Sequence, residues 1–380
     1  MTNWTEYSLE DLLLYEQPTP YIVESTEYSD NYQTPVLTAG KSFIIGYTNE
    51  TSGIYDKLPV IIFDDFTTAT QFVNFPFKVK SSAMKILTAN TALVTPKFIY
   101  YRMQLIEFDH STHKRYWIQQ YSKIRVKIPS ISEQERIVAR IEELFSQLDS
   151  GVETLKKTKE QLAVYRQAVL SDLYPVMTKE NTVRLDNIAQ ITGGITKGRD
   201  LACYDTIELP YLRVANVQDG FLDLSEMKTI ELKTDEKEKY LLAAGDVLYT
   251  EGGDRDKLGR GTVWNDEIPN CVHQNHVFKA RIDKGRALPQ YVAYWSMSRY
   301  ARNYFYSHAR QSVNLASINK SILSALLLPL PDIAVQADIV DIIDTKMSIC
   351  ADIEKTIDVA IQHAEAMRQS ILKKAFEGEV

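Results

Sequence analysis

The chain has 380 residues, of which 44% are hydrophobic, a formal net charge of −7 and three cysteines. This length favours two or more domains, the hydrophobic content excludes global disorder, and no run approaches the ~18 apolar residues of a membrane helix. The scattered cysteines exclude a disulfide scaffold, and the acidic N-terminus excludes a secretory signal. We therefore expect a cytoplasmic protein that does not contact a membrane.

The charge is distributed unevenly along the chain. Residues 31–128 carry 12 basic and 6 acidic side chains, whereas residues 1–30 carry 7 acidic and no basic ones. Residues 284–331 carry six basic and no acidic side chains. Phosphate groups respond to charge within a Debye length of ~10 Å rather than to an average over the whole chain. The net charge of −7 therefore does not exclude a protein that binds nucleic acid.

In chain order, residues 1–128 predict a first mixed domain. Short apolar runs near turn residues predict strands at 42–47 and 60–65. Pro96 opens an aromatic-rich stretch that we predict to be helical, because proline is favoured at the first helical position. Residues 129–180 then predict a long helix whose apolar residues recur at alternating steps of three and four, which is a coiled-coil pattern.

Residues 181–328 predict a second mixed domain of the same kind. Its predicted strands are 209–217 and 245–249, and Pro289 opens a second aromatic-rich helical stretch. Residues 329–380 predict a second long helix with a coiled-coil pattern from Ile339 to Ile371. The predicted order is therefore domain, helix, domain, helix.

The two helical segments are copies of one another. Residues 129–174 align with 331–376 at a constant offset of 202 without a gap, and 11 of the 46 positions are identical. Two similar seams in one chain most simply bury each other as an antiparallel pair, and ~40 residues at ~1.5 Å each give a rod of ~60 Å. The predicted fold is thus α/β (α+β) heads on long antiparallel coiled-coil helices, repeated in tandem with pseudo-twofold symmetry.

These segments resemble the specificity subunit of type I restriction–modification enzymes. The helical copies carry the family's conserved-region signatures, such as Lys-Ile-Pro-Ser-Ile-Ser-Glu-Gln at 127–134. The further segments that carry the resemblance are 37–41, 64–67, 193–196, 209–220, 245–248 and 369–380. The second helix departs from the signature, because Val335 precedes its Gln336 where the first copy has an acidic residue.

The resemblance implies that each head is a target-recognition domain for one half of a bipartite duplex DNA target, and that the helical pair fixes the spacer. It implies two docked methyltransferase subunits and ATP-dependent restriction subunits. S-adenosylmethionine, ATP and Mg²⁺ are then expected in the partners, while this chain is expected to hold no cofactor, metal or catalytic residue. The sequence contains no P-loop, no Gly-x-Gly-x-x-Gly loop and no Asn-Pro-Pro-aromatic motif.

Three clusters leave alternatives open. The glycines of 192–198 indicate either a turn or a loop whose backbone N–H groups bind phosphate. Cys271, His273 and His276 have part of a metal-ligand spacing, but they also fit a strand followed by a turn that contacts a base. Asp64 and Asp65, and likewise Asp254 and Asp256, are compatible with nuclease carboxylates, although turn or fold-stabilising roles are favoured because no paired lysine lies at nuclease spacing.

Candidate DNA contacts follow from two kinds of chemistry. Lys and Arg bind phosphates, whereas Arg, Lys, Asn and Gln distinguish base pairs through bidentate hydrogen bonds. In the first head the predicted DNA-binding residues are Lys78, Lys80, Ser82, Lys85, Lys114, Arg115, Gln119, Gln120 and Lys123. In the second head they are Thr196, Lys197, Arg199, Arg255, Lys257, Arg260, Gln274, Asn275, Arg299, Arg302, Gln311 and Asn314. The alternative for any single one is a solvated surface side chain.

Other functions are also compatible with this sequence. The partner of such a specificity subunit could combine cleavage and methylation in one polypeptide. A coiled-coil adaptor whose heads bind protein is a second alternative, and it predicts no salt-dependent binding to duplex DNA. A stand-alone nuclease is disfavoured by the missing motifs.

Overall fold

The computed structural model describes residues 4–38, 43–110, 115–253, 258–311 and 316–378. The chain separates into two compact units, one of Met1–Leu155 with Val359–Val380 and one of Lys156–Asp358. Each unit therefore contains one head and a part of each long helix. The predicted boundaries after residues 128, 180 and 328 stay a prediction, because this division cuts the helices instead of separating them from the heads.

The first head combines short strands with two short helices and ends in a long helix. Its elements are β1 (Thr5–Ser8), α1 (Leu9–Leu12), β2 (Leu13–Glu16), β3 (Thr34–Leu37), β4 (Ile44–Thr48), β5 (Val60–Asp64), β6 (Thr70–Val73), β7 (Lys78–Val79), β8 (Met84–Ala89), α2 (Pro96–Met103), β9 (Arg125–Ile128) and α3 (Ile131–Asp172). Strands β2-β8-β5-β6 form one sheet, β4-β3-β7 form another, and β1 pairs with β9.

The second head repeats this plan. Its elements are β10 (Thr182–Arg184), β11 (Ala189–Thr192), β12 (Thr206–Leu212), β13 (Lys228–Lys233), α4 (Lys237–Tyr240), β14 (Asp246–Thr250), β15 (Gly252–Gly253), β16 (Gly261–Val263), β17 (Val272–His273), β18 (Val277–Ile282), α5 (Pro289–Met297), α6 (Arg299–His308), β19 (Arg310–Gln311), β20 (Ala316–Ser317), α7 (Lys320–Ser324), β21 (Leu327–Pro329) and α8 (Ile333–Glu377). The sheets β11-β18-β14-β16 and β13-β12-β17 and the pair β10-β21 match the first head strand for strand, whereas β15-β20-β19 is an additional sheet.

Most predicted elements are confirmed, and one is too long. The strand predicted at 209–217 ends at Leu212, because Asn216 folds back and its Oδ1 accepts the Arg213 N–H at 2.9 Å. The Asn216 amide also donates to the Asp223 carbonyl at 2.8 Å. A buried asparagine that satisfies local backbone groups competes with the strand ladder and stops it.

The long helices run antiparallel within each unit. In the first unit, the Arg368 guanidinium lies 4.7 Å from the Phe145 ring centroid and pairs with Asp149, while Leu372 joins the core that contains Ile137 and Ile141. As the residue number increases along α8, the contacting residues of α3 have decreasing numbers, so the two helices are antiparallel. The coiled-coil pairing that the sequence predicts is confirmed there.

The second unit shows the same direction of pairing through different residues. Lys159 Nζ lies 2.7 Å from Asp358 Oδ1, and Arg166 lies 2.9 Å from Glu354, while Val169 joins the core of the second head. The seam of this unit is narrower than predicted, because Tyr165 and Ile353 are 45% and 40% exposed. Among the described helices, none is long and apolar enough to cross a membrane.

A buried glutamine connects the start of each long helix to its head. Gln134 is fully buried; its Oε1 accepts the Thr95 N–H at 2.8 Å, and its Nε2 donates to the Leu93 and Pro129 carbonyls at 3.0 and 2.9 Å. Thr95 is the N-cap residue of α2, and its own side chain makes no capping hydrogen bond. The carboxamide therefore satisfies the first orphan donor of α2 from a different helix.

Gln336 makes the equivalent contacts in the second unit. Its Oε1 accepts the N–H of the α5 N-cap Leu288 at 2.9 Å, and its Nε2 donates to the Arg286 and Pro331 carbonyls at 3.1 and 2.7 Å. The identity of Gln134 and Gln336 in the repeat thus has a structural cause.

We expect Gln134→Leu to lower the free energy of unfolding by about 3 kcal/mol, since it leaves buried backbone groups unsatisfied at roughly 1–3 kcal/mol each. Gln336→Leu is the matched variant of the second unit. Urea titrations followed by tryptophan fluorescence measure both. The control Gln161→Leu, at an exposed helical position, is expected to change stability by about 0.5 kcal/mol or less; equal stability of all three variants would contradict the role of the glutamines.

Candidate nucleic-acid interface

Three connections meet at one acidic residue in the first head. Asp65 follows β5 directly and is 1% exposed. Its N–H donates to the Ala83 carbonyl in the β7–β8 turn at 3.0 Å, and its carbonyl accepts the Tyr116 N–H at 2.9 Å from the segment after α2. One residue thus holds the ends of three connections together.

Glu251 occupies the equivalent place in the second head, directly after β14. Its N–H donates to the His276 carbonyl in the β17–β18 turn at 2.9 Å, and its carbonyl accepts the Ile318 N–H at 2.8 Å from the segment after α5. The backbone arrangement is the same in both heads. Three equivalent connections, which we call the reading turns, therefore gather at one edge of each head, and in the first head their described residues are 65–69, 80–83, 108–110 and 115–120.

The two acidic side chains are used differently. The Asp65 carboxylate accepts the Trp117 N–H at 2.8 Å and lies 3.2 Å from Lys85 Nζ, which also donates to Gln17 Oε1 at 3.1 Å. The Glu251 carboxylate lies 2.5 Å from His276 Nδ1, and this imidazole is about half exposed. The first head therefore has a buried ion pair where the second has an accessible contact between a carboxylate and an imidazole.

The β5–β6 turn of the first head is tied down at several points. The Asp64 carboxylate accepts the N–H groups of Phe66 and Thr67 at 2.7 and 2.9 Å, which confirms the predicted turn role of this residue. Thr68 has a left-handed φ of 57°, and its Oγ1 lies 2.9 Å from His110 Nε2. The sequence alone did not identify His110 as a partner of this turn, and it indicated Phe66 only as part of the segment 64–67.

The structure separates the predicted DNA contacts of the first head into two groups. Lys80, Arg115, Gln119 and Gln120 are exposed on the reading turns, and Ser82 is half-buried. Lys123 is exposed, pairs with Glu10 and lies three residues beyond the last reading turn. Lys114 lies outside the described residues.

Lys78 and Lys85 are buried in ion pairs, so the structure does not present them as accessible DNA contacts. Lys78 is 3% exposed, lies 2.7 Å from Glu50 and donates to the Ser52 carbonyl at 2.7 Å. Lys85 is 1% exposed and belongs to the Asp65 network. Breaking a buried pair costs roughly 3–5 kcal/mol, so neither ammonium group is available to a phosphate.

In the second head, the glycine cluster allows a close approach of backbone to backbone. A Cβ on Gly194 would lie 2.0 Å from the His273 carbonyl oxygen, so only glycine fits there. Ile195 donates to that carbonyl at 2.8 Å and accepts the Asn275 N–H at 2.9 Å. The cluster therefore joins the exposed Thr196 and Lys197 to the turn that carries the half-buried Gln274 and Asn275.

Three of the remaining candidates of the second head are paired with polar side chains. Arg199 lies 2.7 Å from Glu236, Arg260 donates to Gln218 at 2.8 Å, and Arg302 pairs with Asp219. Arg299 is exposed at the start of α6, and Gln311 lies in β19, although its side chain is outside the described part. Arg255, Lys257 and Asn314 also lie outside the described residues.

Cys271, His273 and His276 occupy separate environments. His273 is fully buried, and its Nδ1–H donates to the Val277 carbonyl at 2.7 Å, whereas His276 is exposed. Burial lowers the pKa of His273 to about 4 and raises the pKa of the Cys271 thiol to about 12. Within the described ranges, no three His, Cys, Asp or Glu side chains gather as metal ligands would.

Similarity to known proteins identifies the family of this chain. The family model "Type I restriction modification DNA specificity domain" matches residues 1–163 and 177–363, which covers both heads. The chain therefore belongs to the family of type I restriction–modification specificity subunits.

Two relatives illustrate the range of similarity. The chain is 33% identical over 355 residues to the EcoR124I/EcoR124II specificity subunit of Escherichia coli, covering 88% of this chain and 85% of that protein. It is 25% identical over 272 residues to the EcoKI specificity subunit of Escherichia coli strain K12, covering 68% of this chain and 58% of that protein.

Solved structures share the fold. One chain, from a study of complex assembly and conformational transition of the type I R-M system, superposes with a TM-score of 0.70 at 16% identity, over 100% of both chains. The HsdS subunit from Thermoanaerobacter tengcongensis superposes with a TM-score of 0.52 at 16% identity, over 99% of this chain and 97% of that one. These similarities support the tandem α/β heads with long antiparallel helices.

The buried His273 makes a pH-dependent prediction. Its pKa is about 4 when folded and near 6.5 when unfolded, so the unfolded state binds the proton more tightly and stability falls as the pH drops below 6.5. Between pH 7 and pH 5 this group alone contributes a loss of about 2 kcal/mol. Urea titrations at both pH values measure it. We expect His273→Asn, which keeps a donor for the Val277 carbonyl, to lose about 2 kcal/mol less than the natural chain; equal pH dependence would contradict the assignment.

Proposed function

We propose that this chain is the DNA-reading subunit of a type I restriction–modification complex, in which each head reads one half of a bipartite duplex target. The observation that carries the proposal is the gathering of equivalent reading turns around Asp65 and Glu251. Two heads with one scaffold present different side chains at the same place. A tandem protein that reads two unlike half-sites requires this combination of a constant frame and variable tips.

The side chains on the reading turns have the chemistry of base and phosphate contacts. In the first head, Arg115 suits the O6 and N7 acceptors of guanine, while Gln119 or Gln120 suits adenine. In the second head, the carboxamides of Gln274 and Asn275 suit adenine, and Lys197 of the adjoining glycine cluster suits a phosphate. Both sets are exposed or half-buried, as a contact with a groove requires.

The long helices serve two purposes in this proposal: they fix the number of unread base pairs between the half-sites, and they dock two methyltransferase subunits. Features on both helices support docking. A groove of about 470 Å³ in the first unit is lined by Leu148, Gly151, Ala360 and Met367. Exposed apolar side chains such as Ile342 and Ile349 recur seven residues apart on α8, as on a helix that packs against another helix.

The proposal assigns no catalytic step to this chain. Its role is to select the site, and the partners supply S-adenosylmethionine for methylation and ATP with Mg²⁺ for restriction. We place the assembly in the cytoplasm, together with the restriction subunits.

Sequencing of methylated sites in the host genome, with and without this gene, tests the proposal. We expect a bipartite methylated motif that disappears when the gene is removed. Purification of the tagged chain then distinguishes separate methyltransferase and restriction subunits from one partner that combines both activities. A genome whose methylation does not change, together with a chain that binds no duplex DNA at low salt, would instead favour a protein-binding adaptor.

Shortening the helices tests the spacing role. Deleting residues 152–158 and the matching residues 354–360 removes one heptad from each helix, about 10 Å of rise, and leaves the seam in register. We expect the methylated motif to keep both half-sites and to lose up to about three base pairs of spacer, at ~3.4 Å per base pair. Changed half-sites with an unchanged spacer would contradict the spacing role.

Removing a base contact tests the reading role. We expect Arg115→Ala in the full chain, assembled with its methyltransferase partner, to weaken binding to the identified target about tenfold or more at fixed salt. Lys57→Ala, at an exposed position of the same head outside the reading turns, is the control and is expected to leave the affinity unchanged. Equal affinities for both variants would remove Arg115 from the interface.

A further inference from the structure

Phe66 is an exposed aromatic residue without a role in the core of the first head. Its side chain is 43% exposed, and it lies outside the hydrophobic clusters that the described residues form. The turn between two paired strands normally carries small or polar residues, because these tolerate turn geometry and solvent. An exposed phenylalanine at such a turn therefore suggests contact with another molecule.

The backbone around Phe66 is fixed before any partner binds. The Asp64 carboxylate accepts the Phe66 N–H at 2.7 Å, and His110 Nε2 lies 2.9 Å from the neighbouring Thr67 carbonyl. Asp65, the next residue back, is anchored to Lys85 and to the Trp117 N–H. The ring is thus presented on a rigid support, so little conformational entropy is lost when it binds.

Arg115 lies directly beside this ring. Its guanidinium carbon is 5.8 Å from the ring centroid, within the range of a cation–π contact. Arg115 is a candidate for guanine contact, so the two side chains would enter the same groove next to each other. In the major groove, the apolar feature that distinguishes base pairs is the C5-methyl group of thymine, which phenylalanine can contact.

We propose that Phe66 is a specificity-determining residue of the first head that reads a thymine through its C5-methyl group, beside the base pair contacted by Arg115. This inference rests on the proposed function and adds a base identity to it. The equivalent connection of the second head starts with Glu251 and Gly252, so the thymine contact belongs to the first half-site alone.

The test replaces thymine by deoxyuridine, which lacks only the methyl group. Once the methylated motif is known, duplexes with single deoxyuridine substitutions are titrated with the full chain assembled with its methyltransferase subunits. We expect one substitution in the first half-site to weaken binding about fourfold. This corresponds to ~0.8 kcal/mol for one methyl-sized group at 1.4 kcal/mol per tenfold change.

The protein variants identify the residue that senses the methyl group. We expect Phe66→Ala to bind the thymine and deoxyuridine duplexes equally, while Phe66→Leu keeps part of the difference. Phe221→Ala removes a phenylalanine that is 59% exposed in the second head, and it is expected to keep the full fourfold effect.

The inference is overturned if no deoxyuridine position in the first half-site weakens binding. It is also overturned if Phe66→Ala distinguishes the thymine and deoxyuridine duplexes as well as the natural chain does. The same holds if Phe66→Ala weakens binding to both duplexes equally while the difference between their affinities persists. Each of these leaves the proposed function intact as long as the complex binds its bipartite motif. Loss of the motif itself would be a failure of the proposed function instead.

Discussion

The proposed reading surface of each head depends on the hydrogen bonds that one acidic residue makes at the end of a central strand. Asp65 and Glu251 each use their N–H and carbonyl to join two further connections to the strand end. These backbone bonds need no particular side chain. The connections can therefore change their side chains freely while their positions stay fixed.

The same constraint extends from the strand ends to the long helices. In the first unit, Gln134 caps α2, and α2 packs on the sheet through contacts such as Tyr100 against Phe72, whose centroids lie 5.6 Å apart. In the second unit, Gln336 caps α5, and Ser296 of α5 lies 2.8 Å from the Tyr249 hydroxyl of β14. The orientation of each helix is thus coupled to the strand that ends at the reading turns.

The sequence predicted the repeat, the two long helices and their antiparallel pairing, because coiled-coil periodicity and internal identity are both visible in the residue pattern itself. Strand lengths were less predictable, since the side chain of Asn216 ended a strand by a local contact. The candidate site was predicted in outline only. The sequence identifies Lys85 only as a basic residue. Its burial depends on the pairing with Asp65, which follows a different strand, and no spacing rule predicts that pairing.

The energetic cost of freeing a cation decides which predicted contacts remain available to DNA. An ion pair at the surface contributes about 0–1 kcal/mol, so a phosphate can replace Glu10 as the partner of Lys123 at little cost. The half-buried Arg302 and Asp219 lie between this case and the buried Lys85 pair, which costs roughly 3–5 kcal/mol to break. A count of basic residues therefore overestimates the proposed DNA-binding surface, which we assign instead to the exposed, rigidly supported side chains around Asp65 and Glu251.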